Sequence, residues 1–384
     1  MSPAHRLIGT GGVLTFAFIG AVQALYGPLV PSFQRNFAID AGTAGLVFTA
    51  HGSGSLCGIL APSIVRVNGL ASHWLALATA LLFIGATALS LAPTWPGLLA
   101  AAFVFALGFG IHVVQLNALF VAGFGTRGMA MSQLINAAFS VGTILGPVVL
   151  GVTADPSPHV FRTIAVLALV LFPLSVLMGN KAESAVPSSN QATCADRESW
   201  RLLAAFVLIM CLVGGAENSI GGWTTTLALA DGYTYSEAAN LTALFFAAIL
   251  TGRLVMVAVG HRAPPSQLVI GSVAGMAVLL TAVTFTNAGP LAFALTGVAV
   301  APIFAAMLLW VGRVLPTSRH ANAVVIAGSL LGNAVFPALI GRAIGHFGER
   351  AVPPAVLVLA LAALVVALSL HVGVPAGRTG RAVD

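Results

Sequence analysis

Residues Val141–Gly151 read VGTILGPVVLG, and residues Leu331–Gly341 read LGNAVFPALIG. Gly142, Pro147 and Gly151 of the first string recur as Gly332, Pro337 and Gly341 of the second, at a constant offset of 190 residues. Such self-similarity means that one structural unit is used twice. The longest polar interruption, Asn180–Ser199, falls between the two copies and is rich in Ser, Ala, Asp and Glu. It divides the chain into near-equal parts: an N-terminal unit 1–179, a linking loop 180–199 and a C-terminal unit 200–384.

The residues around these strings set the solvent in which the repeat must fold. The chain is 58% hydrophobic and 7% charged, whereas a soluble domain carries about 25% charged residues, so this is a membrane protein. Apolar runs of about 20 residues recur along its length, enough to cross about 30 Å of hydrocarbon. They lack the ten-residue alternation of a β-barrel, so the spans are helices. Their lengths place helices at about 8–33, 41–66, 72–92, 97–122, 128–153, 160–179, 200–229, 235–259, 266–287, 290–314, 320–345 and 353–373. The expected fold is an all-α membrane protein of about twelve transmembrane helices in two pseudo-symmetric six-helix bundles. The first apolar run, Leu7–Phe33, is too long for a signal-peptide core, lacks a cleavage motif and stays as a helix.

An even number of spans puts both termini on one side, and basic residues choose which. With the termini in the cytoplasm, eleven Lys and Arg residues lie inside and only Arg35, Arg162, Arg342 and Arg350 outside. The expected location is a bacterial-type plasma membrane, with the lipid bilayer as partner. The net charge of +6 is spread singly over many loops, a topogenic pattern that argues against nucleic acid. Cys57 and Cys211 lie in spans and Cys194 in a loop, without CxxC or Cys/His ligand spacing. No disulfide framework, metal site or cofactor is expected. The chain has no GxxxxGK[ST] and no nucleophile–base constellation, so neither ATP-driven transport nor an enzyme is expected.

Polar groups inside the spans carry the chemistry. Leu212–Tyr233 reads LVGGAENSIGGWTTTLALADGY and holds Glu217 in the middle of a long apolar run. A carboxylate there costs about 2.5–3.5 kcal/mol on insertion scales, which makes it a functional hypothesis by default. It can bind and release a proton as the translocated ion, or accept hydrogen bonds from solute hydroxyls; the plainer reading is a structural carboxylate paired to a neighbouring helix. Asn218 shares the segment, and Trp223 either stacks on a solute ring or packs. His51 and His112 are the other titratable groups at depth, set against the ordinary case of a neutral imidazole with one hydrogen-bond partner. His112 and Gln115 share a helix face, whereas Asn117 faces elsewhere and is expected to fix helix packing. Gln133, Asn136, Ser140 and Thr143 form one polar stripe, and Asn322, Ser329 and Asn333 another. Both must face protein or a cavity. Gln23 and Trp310 complete the set of candidate solute-binding residues. Arg253 meets an anionic solute, or snorkels to the interface.

Two parallel six-helix repeats are the architecture of one large class of secondary transporters. The chain resembles the major facilitator superfamily over essentially its whole length. Within it, the chain is similar to the branch of fucose:proton symporters and related sugar permeases. The resemblance rests on YGPLVPSFQRNF at Tyr26–Phe37, GFGIHVVQLNALF at Gly108–Phe120, MSQLINAAFSVGTILGP at Met131–Pro147, GGAENSIGGW at Gly214–Trp223 and TGRL at Thr251–Leu254. It implies transport of a small polar solute, expected to be a sugar, by alternating access. Proton coupling would run through Glu217, in a chain acting as a monomer. Two features depart from the family pattern. No acidic residue stands in the first or fourth span, and the loop motif after the second span is reduced to Arg66-Val67-Asn68-Gly69. Gly142-x3-Gly146-Pro147 also matches the core of a motif of proton-driven drug antiporters, so the alternative is an exporter of drugs or metabolites on the same fold.

Overall fold

The computed structural model describes residues 3–65, 71–124, 127–153, 157–182, 197–259, 263–286, 289–316, 318 and 321–373. The reduced motif at Arg66–Gly69, Cys194 and most of the linking loop lie outside the described residues. The chain parts into two compact units, Met1–Ser189 and Asn190–Asp384. Among the described residues all regular structure is helical, and twelve helical segments are long and apolar enough to cross a membrane.

The first unit contains α1 (Pro3–Gln23), α2 (Tyr26–Phe37), α3 (Ala41–Ala44), α4 (Leu46–Ile64), α5 (Ala71–Leu91), α6 (Trp95–Gly123), α7 (Gly128–Gly151) and α8 (Ser157–Ala182). The second contains α9 (Arg197–Ala230), α10 (Tyr235–Val259), α11 (Pro265–Phe285), α12 (Gly289–Leu295), α13 (Gly297–Val300), α14 (Ile303–Val314), α15 (Ala321–Phe347) and α16 (Val352–Gly373). Three runs expected as single helices are interrupted. The run 8–33 breaks at Ala24–Leu25, where Pro28 has no N–H to give the Ala24 carbonyl. The run 41–66 starts as the short turn α3, capped by Asp40, whose Oδ1 accepts from the Thr43 N–H at 2.8 Å. The run 290–314 divides at Thr296 and again at Ala301–Pro302, because Pro302 denies the Val298 carbonyl its donor.

Lipid is as apolar as a side chain, so helices associate through close packing rather than through hydrophobic exclusion. Large apolar side chains accordingly stand exposed on many of the helices, among them Leu14, Ile84, Val170, Val278, Leu309 and Val365. Glycines provide the close packing, and they do so in matching places in both units. A Cβ added at Gly142 of α7 would meet the Ala17 carbonyl oxygen of α1, and one at Gly332 of α15 would meet the Cys211 carbonyl oxygen of α9. Gly58 of α4 rests on the Leu107 carbonyl of α6 as Gly252 of α10 rests on the Val298 carbonyl of α13. The repeat legible in two strings therefore extends through the packing of each bundle.

Candidate functional site

Glu217 lies near the middle of the span Trp200–Ala230, and α15 is the neighbour that shapes its surroundings. Gly214 lets α9 approach Ser329 and Asn333 of α15, and Gly215 meets the Phe336 ring. Pro337 on α15 lacks an N–H, so the Asn333 carbonyl has no donor within its own helix. Asn218 supplies one, donating from Nδ2 at 2.9 Å. In return the Asn333 amide, in the orientation that places its nitrogen among acceptors, donates to Gly214 O at 2.6 Å and Ser329 O at 3.2 Å. Trp223 Nε1 donates to Pro337 O at 3.0 Å. These bonds lock α9 to α15 beside the carboxylate.

The carboxylate itself is half-buried, and none of the described residues donates a hydrogen bond to it. Arg253 of α10 is exposed. Glu217 thus has acceptor capacity for a solute or a proton.

The first bundle places a different polar set at the matching position. Gly20 packs on the Phe139 carbonyl of α7 as Gly214 packs on the Ser329 carbonyl of α15, and Gln23 and Glu217 each follow three residues later. Gln23 ends α1 at the helix break, its Oε1 buried and without a donor among the described residues. Just beyond the break the Tyr26 ring lies 4.8 Å from the His51 ring, between centroids. Phe109 and Phe105 stand 5.3 Å and 6.4 Å from the same imidazole. Tyr26 Oη, His51 Nδ1, His51 Nε2 and Ser55 Oγ are all buried without a hydrogen-bond partner among the described residues. An unmet buried polar group costs about 1–3 kcal/mol, and folds are stabilised by only about 5–15 kcal/mol. Buried groups of this kind are met by water or by a ligand. Tyr26 and Ser55 are absent from the sequence-derived candidates. The signal for Ser55 was its place four residues after His51, on the same helix face.

Among the other candidates, His112, Asn136 and Trp223 are engaged in helix packing. His112 is fully buried, with Nδ1 3.0 Å from Gly108 O and Nε2 3.1 Å from Thr79 Oγ1, and Thr79 lies 2.7 Å from Ser175 Oγ. A carbonyl only accepts, so Nδ1 carries the proton, while Thr79 Oγ1 lies beside Nε2 and donates to Ser175 Oγ. This network joins α5, α6 and α8. Asn136 donates to Asn117 Oδ1 at 3.0 Å, and Ser132 donates to the same oxygen at 2.9 Å, tying α6 to α7. Asn117 thus sits in helix packing, its expected place. Gln115 is half-buried on α6. Trp223 is fully buried, which leaves none of its surface to stack on a solute. Trp310 packs edge-on against Phe206 at 5.1 Å, its Nε1 buried without a partner among the described residues. The structure therefore brings Glu217, Asn218 and Asn333 together in one bundle, and joins His51 to Tyr26 in the other.

Twelve spans in two bundles built on one repeat, with a carboxylate at mid-span, describe a multi-pass membrane transporter rather than an enzyme. The chain belongs to the Major Facilitator Superfamily, whose sequence profile matches residues 12–319. It is 21% identical over 383 residues to the Sodium-dependent glucose transporter 1A of Mus musculus, covering 87% of this chain and 89% of that one. It is 30% identical over 148 residues to the Major facilitator superfamily domain-containing protein 4A of Danio rerio. That match takes in 37% of this chain and 28% of the zebrafish protein. Among solved structures, the nucleoside transporter NupG (D323A mutant) superposes with a TM-score of 0.77 at 13% identity, covering 96% of this chain and 99% of that one. The D-xylose-proton symporter gives 0.73 at 14% identity, with 98% and 99% covered. The transporter FucP in its outward conformation gives 0.63 at 17% identity, with 98% and 99% covered. At these identities the structural likeness establishes the fold.

Proposed function

We propose that this protein is a secondary active transporter that moves a small neutral polar solute, a sugar, by alternating access and couples the movement to protons through Glu217. The observation that carries the reading is the half-buried Glu217 carboxylate at mid-span, to which none of the described residues donates a hydrogen bond. A group in that state can exchange a proton without breaking the packing of α9 on α15, which Asn218, Asn333 and Trp223 hold independently. Sugar and nucleoside transporters among the similar proteins support the substrate class. The chain acts as a monomer in a bacterial-type plasma membrane, and the distribution of Lys and Arg supports cytoplasmic termini.

Uptake into proteoliposomes tests this. An imposed proton gradient should drive accumulation of a sugar by the wild type, and Glu217→Gln should abolish accumulation while leaving sugar exchange intact. Accumulation that follows a sodium gradient and ignores Glu217→Gln would refute proton coupling. The exporter reading rested on the Gly142–Gly146–Pro147 core. Both glycines are taken up in packing on the Ala17 and Ala21 carbonyls of α1, so the motif has a structural explanation without antiport.

A further inference from the structure

We infer that Tyr26, His51 and Ser55, with Gln23 beside them, form a hydroxyl-reading subsite in the first bundle that binds a neutral polyhydroxylated ring. The inference rests on the proposed transport of such a solute and assigns its recognition to side chains distinct from the coupling carboxylate. Three facts carry it. The first is the number of unmet atoms: Gln23 Oε1, Tyr26 Oη, both nitrogens of His51 and Ser55 Oγ are buried and unpartnered among the described residues. Tyr26, His51 and Ser55 are each at least nine-tenths buried.

The second is their chemistry. A neutral imidazole offers one donor and one acceptor, each hydroxyl offers both, and the glutamine oxygen accepts. That alternation complements the hydroxyls of a sugar or a ribose, which also donate and accept at each oxygen. The only Lys, Arg, Asp or Glu side chains on α1, α2, α4 and α6 are Arg6 and Arg35. They stand at the far ends of α1 and α2, and Arg35 is directed to Ser32 Oγ at 3.4 Å. An ionic ligand would therefore lack a counter-charge in this subsite. The third is the wall. The rings of Tyr26, Phe105 and Phe109 pack tilted around the His51 imidazole, and the two phenylalanines offer it no hydrogen-bond partner.

Single-atom deletions test the subsite. The full-length chain in detergent is titrated with glucose, xylose and uridine, and the rise in apparent Tm is read for wild type, Tyr26→Phe, Ser55→Ala and the surface control Ser369→Ala. At least one solute should raise the wild-type Tm. Tyr26→Phe and Ser55→Ala should shift half-saturation at least tenfold upward, with an unliganded Tm equal to or above wild type, and the control should bind as wild type. One deoxy analogue of the binding solute should bind wild type about tenfold more weakly but Tyr26→Phe no more weakly than its parent, the sign of a direct contact. Wild-type affinity in both hydroxyl deletions would overturn the subsite and leave these atoms to water. So would a fall of several degrees in both unliganded proteins, since the hydroxyls would then be bonded within the fold. If none of the three solutes stabilises the wild type, the underlying transport reading fails instead, and the two failures are distinct.

Discussion

Replacing Asn218 by Leu removes the amide that serves the Asn333 carbonyl while keeping side-chain bulk on α9. Loss of an ordinary interhelical hydrogen bond in a membrane protein costs about 0.6 kcal/mol on average, because the freed group finds another partner. This carbonyl has no such recourse. Its own helix provides a proline at the donor position, so the bond of 2.9 Å from Asn218 stands in for the missing backbone N–H. The cost should rise toward that of an unmet buried acceptor, about 1–2 kcal/mol, or about 2–8 °C in apparent Tm for a bundle of this size. Pro337→Ala restores the N–H and gives the carbonyl an intrahelical donor. In that background Asn218→Leu should cost no more than a few tenths of a kcal/mol, for a coupling energy of about 1 kcal/mol between two residues on different helices. Denaturant or thermal unfolding of the four proteins in one detergent closes the cycle. Additive single-mutant costs would refute the substitution of side chain for backbone, and with it the account of how α9 is held to α15.

Two further perturbations follow from the packing and from the helix ends. Gly332→Ala should destabilise the second bundle by several kcal/mol or prevent its assembly, because the new methyl group meets the Cys211 carbonyl. Gly312→Ala on α14, where a Cβ meets no neighbour, should instead stabilise by about 0.5–1 kcal/mol; equal effects on unfolding at the two sites would contradict the close approach of α9 and α15. At the start of α3 the Thr43 backbone N–H holds the Asp40 carboxyl below its ordinary value of 3.8. A lowered folded pKa stabilises fully above the unfolded value, and this contribution is lost as pH falls through the folded one. Asp40→Ala should therefore lower Tm slightly at neutral pH, by a few tenths of a kcal/mol at this exposed site. The difference from wild type should shrink below about pH 3.8, and Asp40→Asn should lack this pH dependence; a gap that widens on acidification would reverse the reasoning.

The sequence alone determined the properties that follow from the length and solvent of each segment. Apolar runs of membrane thickness specify spanning helices one at a time, and the 190-residue offset of Gly142, Pro147 and Gly151 showed that six helices are used twice. Glu217 was legible for the same reason, since a carboxylate within a single apolar run is anomalous whatever packs against it. The tertiary structure decided which polar groups are already satisfied. Asn136 meets Asn117, His112 meets Thr79, and Trp223 meets Pro337 through residues 19, 33 and 114 positions away. A donor's partner on another helix leaves no trace in the donor's own segment, so these residues read like free cavity groups until the helices are paired. The converse holds at Tyr26 and Ser55, which look like ordinary helix residues in sequence. They become unmet polar groups only when α2, α4 and α6 close around His51 and supply aromatic rings instead of partners.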